Sequence, residues 1–363
     1  MHPDPNDIAL HGAATGPADP AEAAAPSQLQ EPAELSDGGF DRAATAPSQV
    51  VRARQAAHDA RREARKAAPT QWMDPPPPRD EDMLWRALTR DGEARLLVVR
   101  ATEAASEATR RLECSPEVAK LVGELMVAAL LVRSTINPEE RLQLYLNHEG
   151  VIGQVAIDAW QEGGIRAYVA RPQQESIATE ILLGAGVLQV SRTLGTKSYG
   201  SSVALTGETA ADFVMHYLME SEQILSLVHT DVQLDPEGQI SMASGYLLQM
   251  MPEGTREDLR RIVLNIGMLP AVSAAMTAED PDARKWAEQL LHGFAWDQCA
   301  REVVAYRCRC SRDRMMAMLT SLPVTDIAEL AEGTEPLELV CDYCRRKYHV
   351  RPAELRELVA APS

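Results

Sequence analysis

The first eighty residues fix what the rest of the chain has to do. They hold 12 of the 23 prolines, 19 alanines, and only ten residues of the Leu, Ile, Val, Met, Phe, Trp and Tyr class. Such a stretch cannot bury enough apolar surface to offset an ordering cost of roughly 1–2 kcal/mol per residue. Residues 1–80 are therefore expected to be a disordered Ala/Pro-rich extension, and the core has to come from residues 81–363. Within the extension, SQVVRARQAAHDARREARKAA (48–68) is basic and helix-prone. Its apolar positions are mostly alanine, so it reads as a solvated helix. The PPPP at 75–78 is a stiff extended spacer.

Charge narrows the partners. The formal net charge is −17, divided as −4 over residues 1–80, −13 over 81–300 and 0 over 301–363. Most of the molecule would repel a polyanion, so nucleic acid is disfavoured outside the arginine-rich C-terminal end. The N-terminal MHPDPNDIAL has neither a basic n-region nor an apolar h-region. The longest unbroken apolar run, Leu125 to Val132, is far short of the roughly 20 residues of a membrane span. A cytoplasmic protein without a membrane partner is expected, in which cysteines serve as metal ligands or redox sensors rather than structural disulfides.

From residue 81 the hydrophobic period switches repeatedly. MLWRAL and EARLLVVRA read as strands around Asp91-Gly92, and Thr102 is placed to cap a helix through Leu112. Pro116 opens PEVAKLVGELMVAALLV, a helix apolar enough to be buried. RLQLYLNH, VIGQVAIDAW, IRAYVARP, GVLQVSR and SSVALTG follow as strands, with a short helix around Glu180 and another over Glu208–Gln223. ILSLVHTDVQLD pairs with ISMASGYLLQMM across Pro236-Glu237-Gly238. Hairpins around one or two apolar helices imply an α+β fold, with an antiparallel-sheet core packed with helices over residues 81–253. No P-loop or dinucleotide glycine fingerprint is present.

Residues 254–300 change to amphipathic helices broken by Gly267, Pro270 and Pro281, the second running through DARKWAEQLLHGFAW. Leu259, Ile262, Val263, Ile266 and Leu269 recur at helical spacing. Either the pair packs permanently on the core or it is a linker docked conditionally.

Of six cysteines, Cys308, Cys310, Cys341 and Cys344 form C-x-C, thirty residues, then C-x-x-C. Four thiolates complete a closed tetrahedral shell around Zn2+, which leaves no open position for a catalytic water and argues against a zinc hydrolase. LELV and KYHVR read as strands flanking a knuckle at the second pair, and Ser311 as the N-cap of RDRMMAMLTSL, with a further helix over Thr325–Ala331. A dithiol oxidoreductase would place C-x-x-C at a helix N-terminus, whereas here a strand follows. His349 lies in that strand and reads as an exposed edge residue, and Cys114 and Cys299 as packing residues. Arg307, Arg309, Arg312, Arg314, Arg345, Arg346 and Lys347 flank the two pairs. They balance a tetrathiolate centre and would keep the thiols ionised, and so oxidisable, once the metal left.

CRCSRDR and LELVCDYCRRKYHV resemble the C-terminal signature of the redox-regulated 33-kilodalton heat-shock chaperone (33 kDa chaperonin) family. MLWRALTRDGEARLL, GVIGQVAIDAW, GVLQVSRTLG, Glu220 to Ile224 and SGYLLQMMPEG are similar to that family's core segments, in the same order, so the resemblance spans about residues 81–358. It implies an ATP-independent holdase, not an enzyme, that binds unfolding proteins under oxidative stress. Its parts would be a client-binding core (81–253), a helical linker (254–300) and a zinc-thiolate switch (301–358). By the same resemblance the reduced zinc form is an inactive monomer. Oxidation pairs Cys341 with Cys344 and Cys308 with Cys310, releases zinc, undocks the linker with Leu259, Ile262, Val263, Ile266 and Leu269, and promotes a homodimer. The competing class is a zinc-ribbon adaptor or nucleic-acid module with a constitutive structural zinc.

Overall fold

The computed structural model describes residues 82–174, 182–268 and 283–360. The readings of residues 1–80, of the helix around Glu180 and of Leu269 lie outside the described residues.

Two sheets sandwich one buried helix. The first has strand order β10-β1-β2-β9-β8, with β1 Met83–Thr89, β2 Ala94–Arg100, β8 Ser226–Leu234, β9 Ile240–Met250 and β10 Trp296–Val303, all antiparallel. The second has order β11-β5-β4-β3-β6-β7, with β3 Arg141–His148, β4 Val155–Trp160, β5 Gly164–Val169, β6 Gly186–Leu194, β7 Lys197–Ala204 and β11 Ala305–Tyr306. Only the short β11–β5 pairing in it is parallel. The α+β class with antiparallel sheets expected from the sequence is thus present.

Helix α1 (Thr102–Leu112) is followed by α2 (Pro116–Arg133), in which fourteen of eighteen residues are buried. A helix apolar all round is stable only inside a core, and α2 fills the space between the sheets with α1 and α3 (Ala210–Glu220). The cap of α1 differs from expectation. The Thr102 hydroxyl accepts the Ala243 N–H at 3.1 Å, while the Asp82 carboxylate accepts the Ala104 N–H at 2.7 Å. A carboxylate from the start of β1 thus supplies the charge the helix N-terminus favours.

The run ARLLVVR of β2 lacks alternation because both faces are covered. Leu97 and Val99 enter the central core, whereas Leu96 and Val98 enter a second cluster on the opposite face. That second face lies under α4 (Arg256–Gly267) and α5 (Ala283–Leu290), through Ile262, Trp286, Ala287 and Leu290. Helix α5 ends at Leu290, short of Trp296, to which the helical pattern of DARKWAEQLLHGFAW extends. Gly293 turns the chain at φ 83°, and WDQCAREV alternates as an edge strand beside β1.

The C-terminal unit carries α6 (Arg312–Leu319), α7 (Val324–Ala331), the hairpin β12 (Leu337–Val340) and β13 (Lys347–Val350), and α8 (Pro352–Ala360). Its own apolar cluster has only five fully buried members: Leu319, Ile327, Ala331, Val350 and Leu355. A core of that size needs another source of stability.

Candidate metal centre

Two local structures deliver the four thiols. Cys308 and Cys310 lie in the loop from β11 to α6, where the Ser311 hydroxyl accepts the Arg314 N–H at 3.2 Å and caps the helix. Cys341 and Cys344 form the knuckle between β12 and β13. The Cys341 N–H donates to the Arg346 carbonyl at 2.9 Å, and the Arg345 N–H donates to the Cys341 carbonyl at 2.8 Å. Arg345 takes the left-handed conformation, φ 58°, which closes this turn.

The four sulfur atoms all lie within 4.8 Å of one another. Cys308 Sγ is 3.7 Å from Cys341 Sγ, and Cys310 Sγ is 3.4 Å from Cys344 Sγ. Sulfurs about 2.3 Å from a tetrahedral zinc would be about 3.8 Å apart, so the donor set fits that ion in number, type and spacing. His349 is exposed and stands outside the cluster. Burial pushes the Cys310 thiol up, but hydrogen bonds from the Tyr348 hydroxyl and the neighbouring thiols outweigh it and bring it to about 7. Burial dominates at Cys341 and Cys344 and raises both. The lowered Cys310 thiol suits ligation and oxidation, whereas Cys341 and Cys344 favour the neutral thiol until a metal displaces their protons.

The flanking cations have specific partners. Arg307 pairs with Glu162 at 3.5 Å, Arg312 with Glu354 at 2.9 Å and Lys347 with Glu338 at 3.0 Å. Arg314 donates to the Arg309 carbonyl at 2.6 Å, and the Arg309 guanidinium lies 5.2 Å from the Trp160 ring centroid. The groups touching the sulfurs escaped sequence reasoning. Tyr348 Oη donates to Cys310 Sγ at 3.1 Å, and Arg166 of β5 extends Nη1 to Cys308 Sγ at 3.8 Å. Arg111 of α1 reaches the Cys344 carbonyl at 3.4 Å. Tyr348, four residues past Cys344, was within reach of motif inspection; Arg111 and Arg166 carry no local signal.

A family model described as Hsp33 protein matches residues 82–351. The chain belongs to the Hsp33 family. The Hsp33-family resemblance read from the motifs therefore holds, and the family is one of chaperones. Among relatives, the 33 kDa chaperonin of Thermus thermophilus is 30% identical over 294 residues, covering 76% of this chain and 86% of that protein. The 33 kDa chaperonin of Desulfotalea psychrophila is 28% identical over 287 residues, covering 77% and 97%. The solved 33 kDa chaperonin of Thermotoga maritima superposes with TM-score 0.70 at 24% identity, over 77% of this chain and 98% of that one, and shares its fold.

Elsewhere in this Hsp33-family chain, the linker positions divide. Ile262 is fully buried and Ile266 partly buried against the first sheet, Leu259 is half-buried, and Val263 is 52% exposed. Val263 follows Ile262 by about 100° around the helix and leaves the stripe. The inward position goes instead to Asn265, whose Nδ2 donates to the Leu290 and His292 carbonyls at 3.0 and 2.9 Å, tying α4 to α5. Cys114 packs against the core as expected, but Cys299 is exposed because β10 is an edge strand. Among the described residues no helix is long and apolar enough to cross a membrane.

Proposed function

We propose that this chain is a cytoplasmic, redox-regulated, ATP-independent holdase that binds unfolding proteins under oxidative stress, and is not an enzyme. One observation carries the reading. Four sulfurs at metal-ligand spacing sit in a unit whose own core has five buried residues, so the ligand set would supply much of that unit's stability. Cys308, Cys310, Cys341 and Cys344 would hold Zn2+, which when bound clamps the C-x-C loop to the knuckle. The working division is a client-binding core at 81–253, a linker at 254–300 and the switch at 301–358.

Peroxide supplies the oxidising equivalents. Each disulfide forms as two thiolates give two electrons to one peroxide, which takes two protons from solvent and leaves as two waters. Pairing within Cys341–Cys344 and Cys308–Cys310 follows the family resemblance; all four sulfurs are near enough for either pair to form first. Disulfide sulfurs no longer ligate the ion, and the unit loses its clamp. Its path to the linker is covalent and short, because β11 on the second sheet continues β10 on the first. Strand β10 is held by Arg90, whose Nη2 and Nε donate to Asp297 at 2.7 and 2.9 Å. Once β11 and β10 loosen, α4 and α5 lose their C-terminal anchor. Undocking them bares Leu96, Val98, Tyr246 and Leu248 along with Ile262 and Trp286, a contiguous apolar surface for clients and for a second copy. The −17 charge keeps such complexes soluble.

The test is zinc content and apolar-dye binding before and after peroxide with mild heat. One zinc per reduced chain, lost in step with a rise in dye binding, supports the reading. Zinc that survives oxidation favours a constitutive structural site.

A further inference from the structure

Strand β4 is buried at all six positions, yet it carries a carboxylate, Asp158, whose side chain is fully inaccessible. Taking charges out of water is costly, and a whole buried ion cluster replaced by packed apolar residues is often neutral or stabilising, so core stability by itself does not account for this one. Its contacts suggest what does. Arg141 Nη2 donates to its two oxygens at 2.6 and 2.7 Å, and Arg166 donates to Oδ2 from Nε at 2.8 Å and from Nη2 at 2.7 Å.

Two of Arg166's three nitrogens are thereby fixed, and the third, Nη1, faces Cys308 Sγ at 3.8 Å. The same guanidinium lies 3.6 Å from the ring centroid of Tyr343, which stands between Cys341 and Cys344. One core cation therefore touches the first cysteine pair directly and the loop of the second pair through an aromatic face. The neighbouring strand closes the arrangement. Tyr306 of β11, paired with Ile165 of β5, donates its hydroxyl to the Tyr343 carbonyl at 3.1 Å.

We infer that Arg166, aimed by the buried Asp158, is a positioning residue of the metal centre: it holds Cys308 and the Cys341–Cys344 loop on the second sheet and ties metal retention to docking of the C-terminal unit on the core. This rests on the reading that the four cysteines bind zinc. A guanidinium suits the role because it stays charged, stacks on an aromatic face and donates in fixed directions, whereas an ammonium lacks the planar fork that does all three at once. Groups outside the ligand set that orient it typically change metal affinity 10- to 100-fold. The coupling is reciprocal: whatever factor docking adds to zinc affinity, zinc adds to docking.

The experiment uses the full-length reduced protein and follows zinc transfer to a chromogenic chelator without oxidant. Arg166→Gln and Asp158→Asn are expected to lose zinc on the order of tenfold faster than the unaltered chain, with Arg166→Lys between. Tyr343→Leu, which also gives up the ring contact with Tyr168 of β5, should likewise speed transfer. Adding it to Arg166→Gln should give less than the product of the two effects, because both remove one contact. Thermal melting of the core reports folding independently, and if Asp158→Asn does not fold, Arg166→Gln, Arg166→Lys and Tyr343→Leu decide. Folded Arg166→Gln releasing zinc at the unaltered rate, or fully multiplicative effects with Tyr343→Leu, overturns the inference while the zinc reading stands. An unaltered chain that holds no zinc defeats the zinc reading itself, before any variant is compared.

Discussion

Trp286 offers a way to switch the linker without touching a cysteine. Its indole is 1% exposed and lies with its ring centroid 5.0 Å from that of Tyr246, which in turn stacks on His229 at 5.6 Å. Truncating a buried Trp to Ala costs about 3–5 kcal/mol in lost transfer energy and cavity. A loss of about 3 kcal/mol, the lower end, shifts a docking equilibrium more than a hundredfold. Local elements open at free energies well below the global value, so α4 and α5 should leave the sheet while the central core stays folded. Reduced, zinc-loaded Trp286→Ala is then expected to bind apolar dye and suppress client aggregation without oxidant, with zinc content and core melting unchanged. Trp286→Phe keeps most of the packing and should remain off. A folded Trp286→Ala that neither binds dye nor suppresses aggregation would refute the idea that α5 masks the active surface.

Cys344→Ser should lower zinc content and unfold the C-terminal unit, seen as new protease cuts after residue 305; full zinc retention would mean another ligand. Gly163→Ala should weaken docking of β11, since at φ 62° the added Cβ would lie 1.9 Å from the Val303 carbonyl oxygen; a chelator-transfer rate equal to the unaltered chain would contradict this. Asp82 gives a pH test. Burial pushes its carboxyl up to about 6, over the opposing Ala104 and Glu103 N–H groups and the Arg100 charge, against an unfolded value of about 3.9. The folded state therefore binds the proton more tightly, and stability is lost as pH rises from about 4 to about 6, on the order of 3 kcal/mol in all. Asp82→Asn, which can still accept the Ala104 N–H, should gain stability over the unaltered chain across that window; parallel melting curves from pH 4 to 7 would sink the argument.

The sequence revealed most where its pattern is local. The β1–β2 and β8–β9 hairpins, the buried α2 and the knuckle at Cys341–Cys344 follow from alternation, apolar runs and turn residues, and all appear as read. The four-cysteine cluster was legible because spacing alone brings each pair together. What remained hidden depends on distant partners. Strand β10 borrows its register from β1, more than two hundred residues earlier, so the helical pattern of DARKWAEQLLHGFAW runs on to Trp296, where the strand begins. Asn265 sits at a buried helix position because two carbonyls of another segment wait there, which periodicity does not report. Asp158 and Arg166 read as ordinary strand residues, and only the docking of the C-terminal unit places them beside Cys308 and Tyr343.

The central claim is that the state of four thiols decides whether the apolar face under α4 and α5 is available. It is tested most directly by the aggregation of a chemically unfolded client, followed with one preparation of the full chain in two forms, reduced with zinc and oxidised by peroxide. The account predicts no protection by the reduced form and strong protection by the oxidised form, reversed when reductant and zinc are restored. Equal protection by both forms, or none by either, would contradict it.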